Sequence, residues 1–365
     1  MKLAGRKDQG GNPKGDGTVT CIGCHTATPD GEHVAFVDHW PWSIALANVE
    51  KETVGDVPPY LTPGGAEALN QSWLGAPTFL SPAHFSAGDR LLLTSYGRSS
   101  GQVWDGQTWS DTPASRLAWF NLETPVPTGP VNGTQLAMAE GTAYGFLARN
   151  GDPRGAMLPA WSHDGNTVLY VSTNAGKDGR LATGSADLYT VPFNNKAGGD
   201  ASPVPGASDP AYCEYYPSYS PDDQLIAMNR TPDGQDMYYN PSSEVFVLPA
   251  KGGTPARLAA NDPPACTGVK SPGIHNSWAK WSPEVTTAGD RTYYWVIFSS
   301  SRDGYTIQKL PQKKASQLYV AGVVVTSAGE ILTYPGIYVW NQAKDTSNHT
   351  PAWEVIEIPP ADVPK

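Results

Sequence analysis

One short pattern recurs along the chain and constrains its fold more than any other feature. It is an aromatic residue, then a hydroxyl residue opening a tight Pro/Asp/Gly-type turn, then an apolar run. With the hydroxyl as anchor, it reads CHTATPDGEHVAFV at Thr28, PAHFSAGDRLLLTSY at Ser86 and PAWSHDGNTVLYVST at Ser162. It returns as YPSYSPDDQLIAMNR at Ser220 and WAKWSPEVTTAGDRTYYWVIFSSS at Ser282, and a sixth beginning, HTPAWEVIEIP, puts Glu354 at the anchor. Phe85, Trp161, Tyr219, Trp281 and Trp353 precede their anchors, and the first unit has Ala27 there instead. The anchors are 58, 76, 58, 62 and 72 residues apart.

Each unit adds a further apolar segment: SIALANV, RLAWFNL, DLYTVPF, EVFVLPA or QLYVAGV. Strand-forming runs separated by turn residues make each unit a small antiparallel sheet. Such a sheet cannot bury both faces alone, and stacking copies radially around an axis solves that problem, with the aromatics as wedges between neighbours. The expectation is an all-β chain, a β-propeller of about five to six blades of four-stranded antiparallel sheets. Five blades read as complete and a sixth as begun. One domain is expected over 19–360, after a flexible lead-in at 1–18 and before a tail at 361–365.

Composition agrees, with 38 Gly, 34 Pro, 12 Trp and 17 Tyr against only 16% charged residues. A net charge of −10 argues against a nucleic-acid-binding or anionic-membrane surface, both of which need a basic field. No apolar run approaches the roughly 20 residues of a membrane-spanning helix, and MKLAGRKDQGGNPKGDG has no apolar core of the signal-peptide kind. A periplasmic or extracellular location is expected, with the export signal absent from this chain.

Immediately before the first turn, CIGCH places Cys21, Cys24 and His25 in the spacing of a c-type haem attachment site. Two thiols form thioethers to one porphyrin edge, and the adjacent imidazole becomes the proximal iron ligand. Three other readings stay open: a Cys21–Cys24 disulfide, half of a zinc site, or a redox-active CxxC. Zinc needs about four ligands, and no second CxxC or paired histidines complete the set. Strand patterns begin at His33, so no separate helical cytochrome domain is expected, and one covalent haem c would be housed by the propeller itself.

The anchor register places the CxxCH on the inner strand of blade one, 7, 4 and 3 residues before the anchor. Comparable stretches hold His84, Met157, Cys213, Tyr215, His275 and His349, all expected at one end of the central channel. A distal iron ligand is expected from this ring, in the order Met157, His349, His275. Core packing also accounts for a Met before PAW, and loop hydrogen bonding for either histidine. Cys213 and Cys266 lie in connections leading into neighbouring blades and are expected to pair as a disulfide. Asp38, Glu214 and Asp303 could line a mouth, but nothing pairs them. GKDGR, TPDGQD and SRDGY lack EF-hand ligand spacing, and there is no GxSxG, phosphate loop or HExxH.

The repeated turn, an aromatic followed by S-P-D-G, resembles that of TolB-type and WD-like bacterial propellers from Val19 to about Pro360. The second half resembles exported proteins of myxobacteria and relatives through AMLPAWSHDG, HNSWAKWSP, FSSSRDG, QLYVAG and SNHTPAW. These likenesses imply fold and location more than chemistry. Similarity to haem-bearing propeller oxidoreductases is one of architecture. The expected function is that of an exported single-haem c-type cytochrome, acting in electron transfer or small-molecule redox chemistry with a redox partner protein or another cytochrome subunit. The alternative is a TolB-like binding module for protein, peptide or glycan, its CxxCH a disulfide. A polysaccharide lyase or hydrolase would require acidic residues to converge on His275 or His349.

Overall fold

Each apolar run after an anchor becomes the second strand of a sheet, because β-branched and aromatic residues at alternate positions fit a pleated surface buried on both faces. The computed structural model describes residues 23–39, 43–51, 53–54, 58–63, 65, 79–96, 103–104, 109–110, 115–123, 144–173, 185–302, 316–342 and 347–353. Blade one is built from Gly23–Ala27, His33–His39, Ser43–Asn48 and Thr53–Val54. Blade two uses Phe79–Leu80, Leu91–Tyr96, Arg116–Asn121 and Tyr144–Phe146, and blade three Gly155–Trp161, Thr167–Thr173, Ala186–Pro192 and Ser202–Pro203. Blade four comprises Tyr212–Tyr219, Leu225–Pro232, Glu244–Pro249 and Ala256–Arg257. Blade five follows with Ser277–Trp281, Arg291–Ser300, Gln317–Thr326 and Ile331–Thr333, extended by Thr286–Ala288 and Ile337–Tyr338. All blade pairings are antiparallel, and the chain is a five-bladed β-propeller arrangement.

The anchor turn is held by its own side chains. In blade three, Ser162 Oγ donates to Asp164 Oδ1 at 2.6 Å and accepts from Thr167 N at 2.9 Å, while Gly165 takes the left-handed backbone at φ 73°. Ser220 and Asp222 repeat this at 2.7 Å, with Leu225 N donating to Ser220 Oγ at 2.9 Å. Thr28 and Asp30 do the same in blade one, where His33 N donates to Thr28 Oγ1 at 3.1 Å. A hydroxyl that both donates and accepts closes the turn without help from water, which is why Ser or Thr opens it.

Blade two departs from the expected register. Its inner strand ends at Leu80, paired with Leu92, so Ser81 and not Ser86 holds the anchor position. Residues 81 to 91 fill a connection that spans only 162 to 167 in blade three. The excess is a short helix, Pro82–Ser86, begun by Ser81 as N-cap and Pro82 at its first position. Phe85 therefore sits on this helix against Tyr60, with ring centroids 5.4 Å apart, and is not an inner-strand wedge.

The other wedges lie between blades. Trp161 packs with Leu91, Leu93 and Trp119 of blade two, and Tyr219 with Met157 and Leu169 of blade three. Trp281 joins Leu225 and Ala227 of blade four, and its Nε1 donates to Ser218 O at 3.0 Å. Polar contacts stitch the turns as well: His84 Nε2 meets Gly165 O at 2.9 Å, and Tyr294 OH donates to Asp222 Oδ2 at 2.8 Å. Asp223 accepts from His163 N at 2.8 Å, with His163 Nδ1 2.8 Å from its other carboxylate oxygen. His84 is thus a packing residue of the blade two–three contact, against Trp161 and Phe193.

Replacing Trp281 by Ala removes a 6%-exposed ring and strands a carbonyl, and is expected to cost about 3–5 kcal/mol in chemical denaturation. Trp340→Ala, at an 82%-exposed position, is expected to stay within about 0.5 kcal/mol of wild type. Equal effects of the two would contradict the wedge assignment.

Candidate functional site: the axial channel

The inner strands of four blades carry the same irregularity at the same place. Pairing shifts by one residue between Gly23 and Thr26, Met157 and Ala160, Tyr215 and Ser218, and Ser277 and Lys280. Each is a β-bulge in which two residues oppose one. The pairs are Cys24–His25 opposite Phe36, Leu158–Pro159 opposite Tyr170, Tyr216–Pro217 opposite Met228, and Trp278–Ala279 opposite Phe298. Leu158, Tyr216 and Trp278 hold left-handed backbone at φ 49°, 51° and 57°, a conformation costing bulky residues about 1 kcal/mol or more. Pro159 and Pro217 are tolerated at the second position because a bulge on an edge strand needs no N–H there. Thr350 (φ 50°), followed by Pro351 and four residues before Glu354, repeats the left-handed residue and the proline in the segment 347–353, which forms no strand. A bulge re-aims side chains out of strict alternation. The CxxCH thus occupies, with Cys24 and His25, the bulge position of blade one. Cys21 lies outside the described residues, and Cys24 is described by its backbone alone.

His25, half-buried, lines a pocket of about 170 Å³ together with Lys280, Trp281, Tyr219, His163 and Trp353. Residues from blades one, three, four and five and from the segment 347–353 meet here, so the pocket is axial. Burial, and then the nearby Lys280 charge, push the His25 imidazole below its usual range and favour the neutral ring. His25 Nδ1 is buried with no hydrogen-bond partner.

His275 and His349 are brought together, but in a different group. Trp278 stands at its centre, with ring centroids 5.5 Å from Tyr216 and His349, 5.4 Å from Tyr239, 5.8 Å from Tyr238 and 6.4 Å from His275. Tyr239 OH lies 3.1 Å from both His349 Nδ1 and Ser347 Oγ, and His275 Nε2 lies 2.9 Å from Ser316 Oγ. Burial lowers the His349 pKa. The ring of candidates expected at one channel end is therefore divided between the His25 pocket and this aromatic group.

Three expectations are corrected. Met157 is fully buried in the core between blades three and four, with Cys213, Tyr215 and Met228, because it precedes the bulge and pairs with Val171. Cys213 and Cys266 are not joined in a disulfide. Cys213 sits in the core, with Sγ 3.7 Å from Asp233 Oδ1, whereas Cys266 is exposed on the short turn Ala265–Thr267. Glu214 lines no mouth: it is fully buried and paired with Arg230 at 3.0 Å, its other oxygen without a partner. Asp303 and the Asp38 side chain lie outside the described residues. Among the described residues, no group of three or more His, Cys, Asp or Glu could hold a metal ion. No described helix is long and apolar enough to cross a membrane.

No family model and no curated protein matches the chain. Solved propeller structures do. A TolB protein from Agrobacterium tumefaciens is 14% identical, with 87% of this chain and 82% of that one covered, at a TM-score of 0.43. Hydrazine synthase of Kuenenia stuttgartiensis is 11% identical, with 85% and 82% covered, at 0.38. The periplasmic gluconolactonase of Pseudomonas aeruginosa is 13% identical, with 88% and 83% covered, at 0.34.

Buried Glu214 makes stability depend on pH. Desolvation, opposed by Arg230 and reinforced by Asp187, pushes its carboxyl up to about 7. An acid whose pKa is raised on folding stabilises the fold while protonated and loses that contribution as pH rises through the folded value. The stability difference between wild type and Glu214→Gln, followed by urea denaturation, is expected to fall between about pH 5 and about pH 8. A difference independent of pH would show that the carboxyl is not buried as described.

Proposed function

We propose that the chain is an exported β-propeller carrying one covalent haem c in its axial channel. Cys21 and Cys24 would supply the thioether sulfurs and His25 the proximal ligand. The observation behind this reading is the position of Cys24–His25 at the bulge of the first inner strand, with the His25 ring on the axial pocket. The donor set of two thiols and an imidazole suits the group. The pocket itself, at about 170 Å³, is smaller than the roughly 300–1,000 Å³ of sites that enclose a drug-sized ligand, so it does not enclose a porphyrin as it stands.

A bound haem would supply one-electron chemistry at iron. The protein's own part would be to hold and orient the imidazole on a rigid strand and to limit water with Trp281, Tyr219 and Trp353. The other ligand candidates, His349 and His275, belong not to the His25 pocket but to the aromatic group, where Tyr239 OH engages His349 Nδ1 and Ser316 Oγ engages His275 Nε2. The role would be electron transfer or redox conversion of a small molecule, in the periplasm or outside the cell. A single haem in a body of 365 residues implies a redox partner protein or a further cytochrome subunit.

A second reading has its own support. Tyr238, 45% exposed, continues outward from the buried Trp278, so the aromatic group reaches solvent. A binding module for protein, peptide or glycan would use such rings without haem.

The test is a visible spectrum, oxidised and dithionite-reduced, of protein exported from a host with c-haem maturation machinery. A covalently retained Soret band with sharp reduced α and β bands is expected, abolished in Cys21→Ala/Cys24→Ala. A colourless, cooperatively folded protein would overturn the haem and favour the binding module.

A further inference from the structure

Blade five presents to solvent the kind of face by which blades two, three and four receive their successors. In those blades Leu93 and Trp119 pack with Trp161, Leu169 with Tyr219, and Ala227 with Trp281. Tyr294, Val296 and Phe298 of blade five turn back into the core shared with blade four, so the alternate positions of the same strand face away from it. There Trp295, Gly322 and Tyr334 form one row across the sheet, and Ile297, Val320 and Ile337 form the next. Trp295 and Tyr334 are 43% and 44% exposed, and Ile337 is more exposed still. A contiguous open apolar patch of this kind marks an interaction surface.

Gly322 makes the first row continuous. A β-carbon there would stand 3.7 Å from Trp295 Cζ3 and 3.8 Å from Tyr334 Cδ2, so the two rings flank the glycine and form one strip with a shallow gap at its centre. Among the described residues neither the Trp295 indole N–H nor the Tyr334 hydroxyl has a hydrogen-bond partner, and each ring therefore offers a polar atom at its edge. Neither row contains a charged residue. The strand beneath, Gln317–Thr326, is paired with Arg291–Ser300 on one side and with Ile331–Thr333 and Ile337–Tyr338 on the other, and Gly322 O accepts from Tyr334 N. A peptide bound by strand addition needs an unpaired edge, which this strand does not offer.

We infer that the strip binds a neutral glycan, a β-1,4-linked ribbon of glucose or N-acetylglucosamine units. An equatorially linked pyranose chain is flat, with apolar C–H faces and hydroxyls along its edges. Its faces can stack on the two rings while its edge hydroxyls meet the indole N–H and the phenol. A neutral ligand also suits rows without charge in a chain whose net charge is −10. The strip shares no residue with the His25 pocket or the Trp278 group, so the inference goes beyond both readings of the axis and does not require the haem.

The full-length protein would be titrated calorimetrically with cellohexaose and separately with chitohexaose, with maltohexaose, whose α-linkages curve the chain, as the comparison. Saturable binding of at least one β-1,4-linked hexasaccharide is expected, with maltohexaose about tenfold weaker or more. Trp295→Ala and Tyr334→Ala are each expected to weaken it about tenfold or more, and Gly322→Val, which fills the gap between the rings, to weaken it as well. Tyr238→Ala, in the other aromatic group, is expected to leave it unchanged. Failure of both β-linked sugars to saturate, equal binding of maltohexaose, or unaltered binding by folded Trp295→Ala would overturn the inference. Should one ring variant not fold, the other decides. Loss of binding in Tyr238→Ala alone would move the glycan to the Trp278 group, supporting the binding module and overturning this site. Sedimentation velocity showing a dimer that Trp295→Ala dissociates would assign the face to a second copy and overturn it too.

Discussion

Packing of the ring that ends the inner strand of blades three, four and five against the preceding blade is the constraint on which this part of the architecture depends. A four-stranded sheet has two apolar faces and no means of covering them, and Trp161, Tyr219 and Trp281 each complete the core that joins their blade to the one before. Each fully buried ring contributes on the order of 1.5–3 kcal/mol from burial alone. The turn that follows is fixed by a hydroxyl and a carboxylate two residues apart in blades three and four, and by Ser282 Oγ on the backbone of Glu284 in blade five, so the wedge and the reversal are specified by a single short stretch. Contacts between turns, from His84 to Gly165, His163 to Asp223 and Tyr294 to Asp222, then tie neighbouring blades along one rim.

That economy explains how much of the fold could be read in advance. Blades three, four and five follow the written repeat residue for residue, because wedge, anchor and turn are contiguous there. Blade two was read five residues late. Phe85-Ser86 mimics the wedge and anchor, while the true signal was Ser81-Pro82, the same dipeptide as Ser220-Pro221 and Ser282-Pro283. A short capped helix inserted in a turn leaves the strands in place and only displaces the imitation.

The site was less legible, for a different reason. Counting residues back from an anchor locates a position along a strand but not the side to which its chain points, and the bulge changes that side midway. Met157, one residue before the bulge, turns into the core, while Trp278 and Tyr216 at the bulge meet across blades. A signal was present in the recurring proline of LPAW, YPSY and TPAW, which marks a strand position that needs no amide hydrogen. Lys280 and His163 lie within the quoted repeat stretches but at positions where the residue varies from unit to unit, and only the convergence of blades places them near His25. The disulfide expectation failed because both cysteines were judged by their place in connections, whereas Cys213 belongs to a strand buried in the core.

The recurring bulge separates two demands on the same strand. At the wedge position Trp161, Tyr219 and Trp281 fill the space between their blade and the one before. By contrast, the first bulge position carries Cys24 in one blade and Leu158, Tyr216 and Trp278 in three others. What recurs there is the one-residue shift in pairing. Because Leu158 and Trp278 are themselves buried, a change of side chain at this position alters the packing of the ring together with the chemistry of its axis.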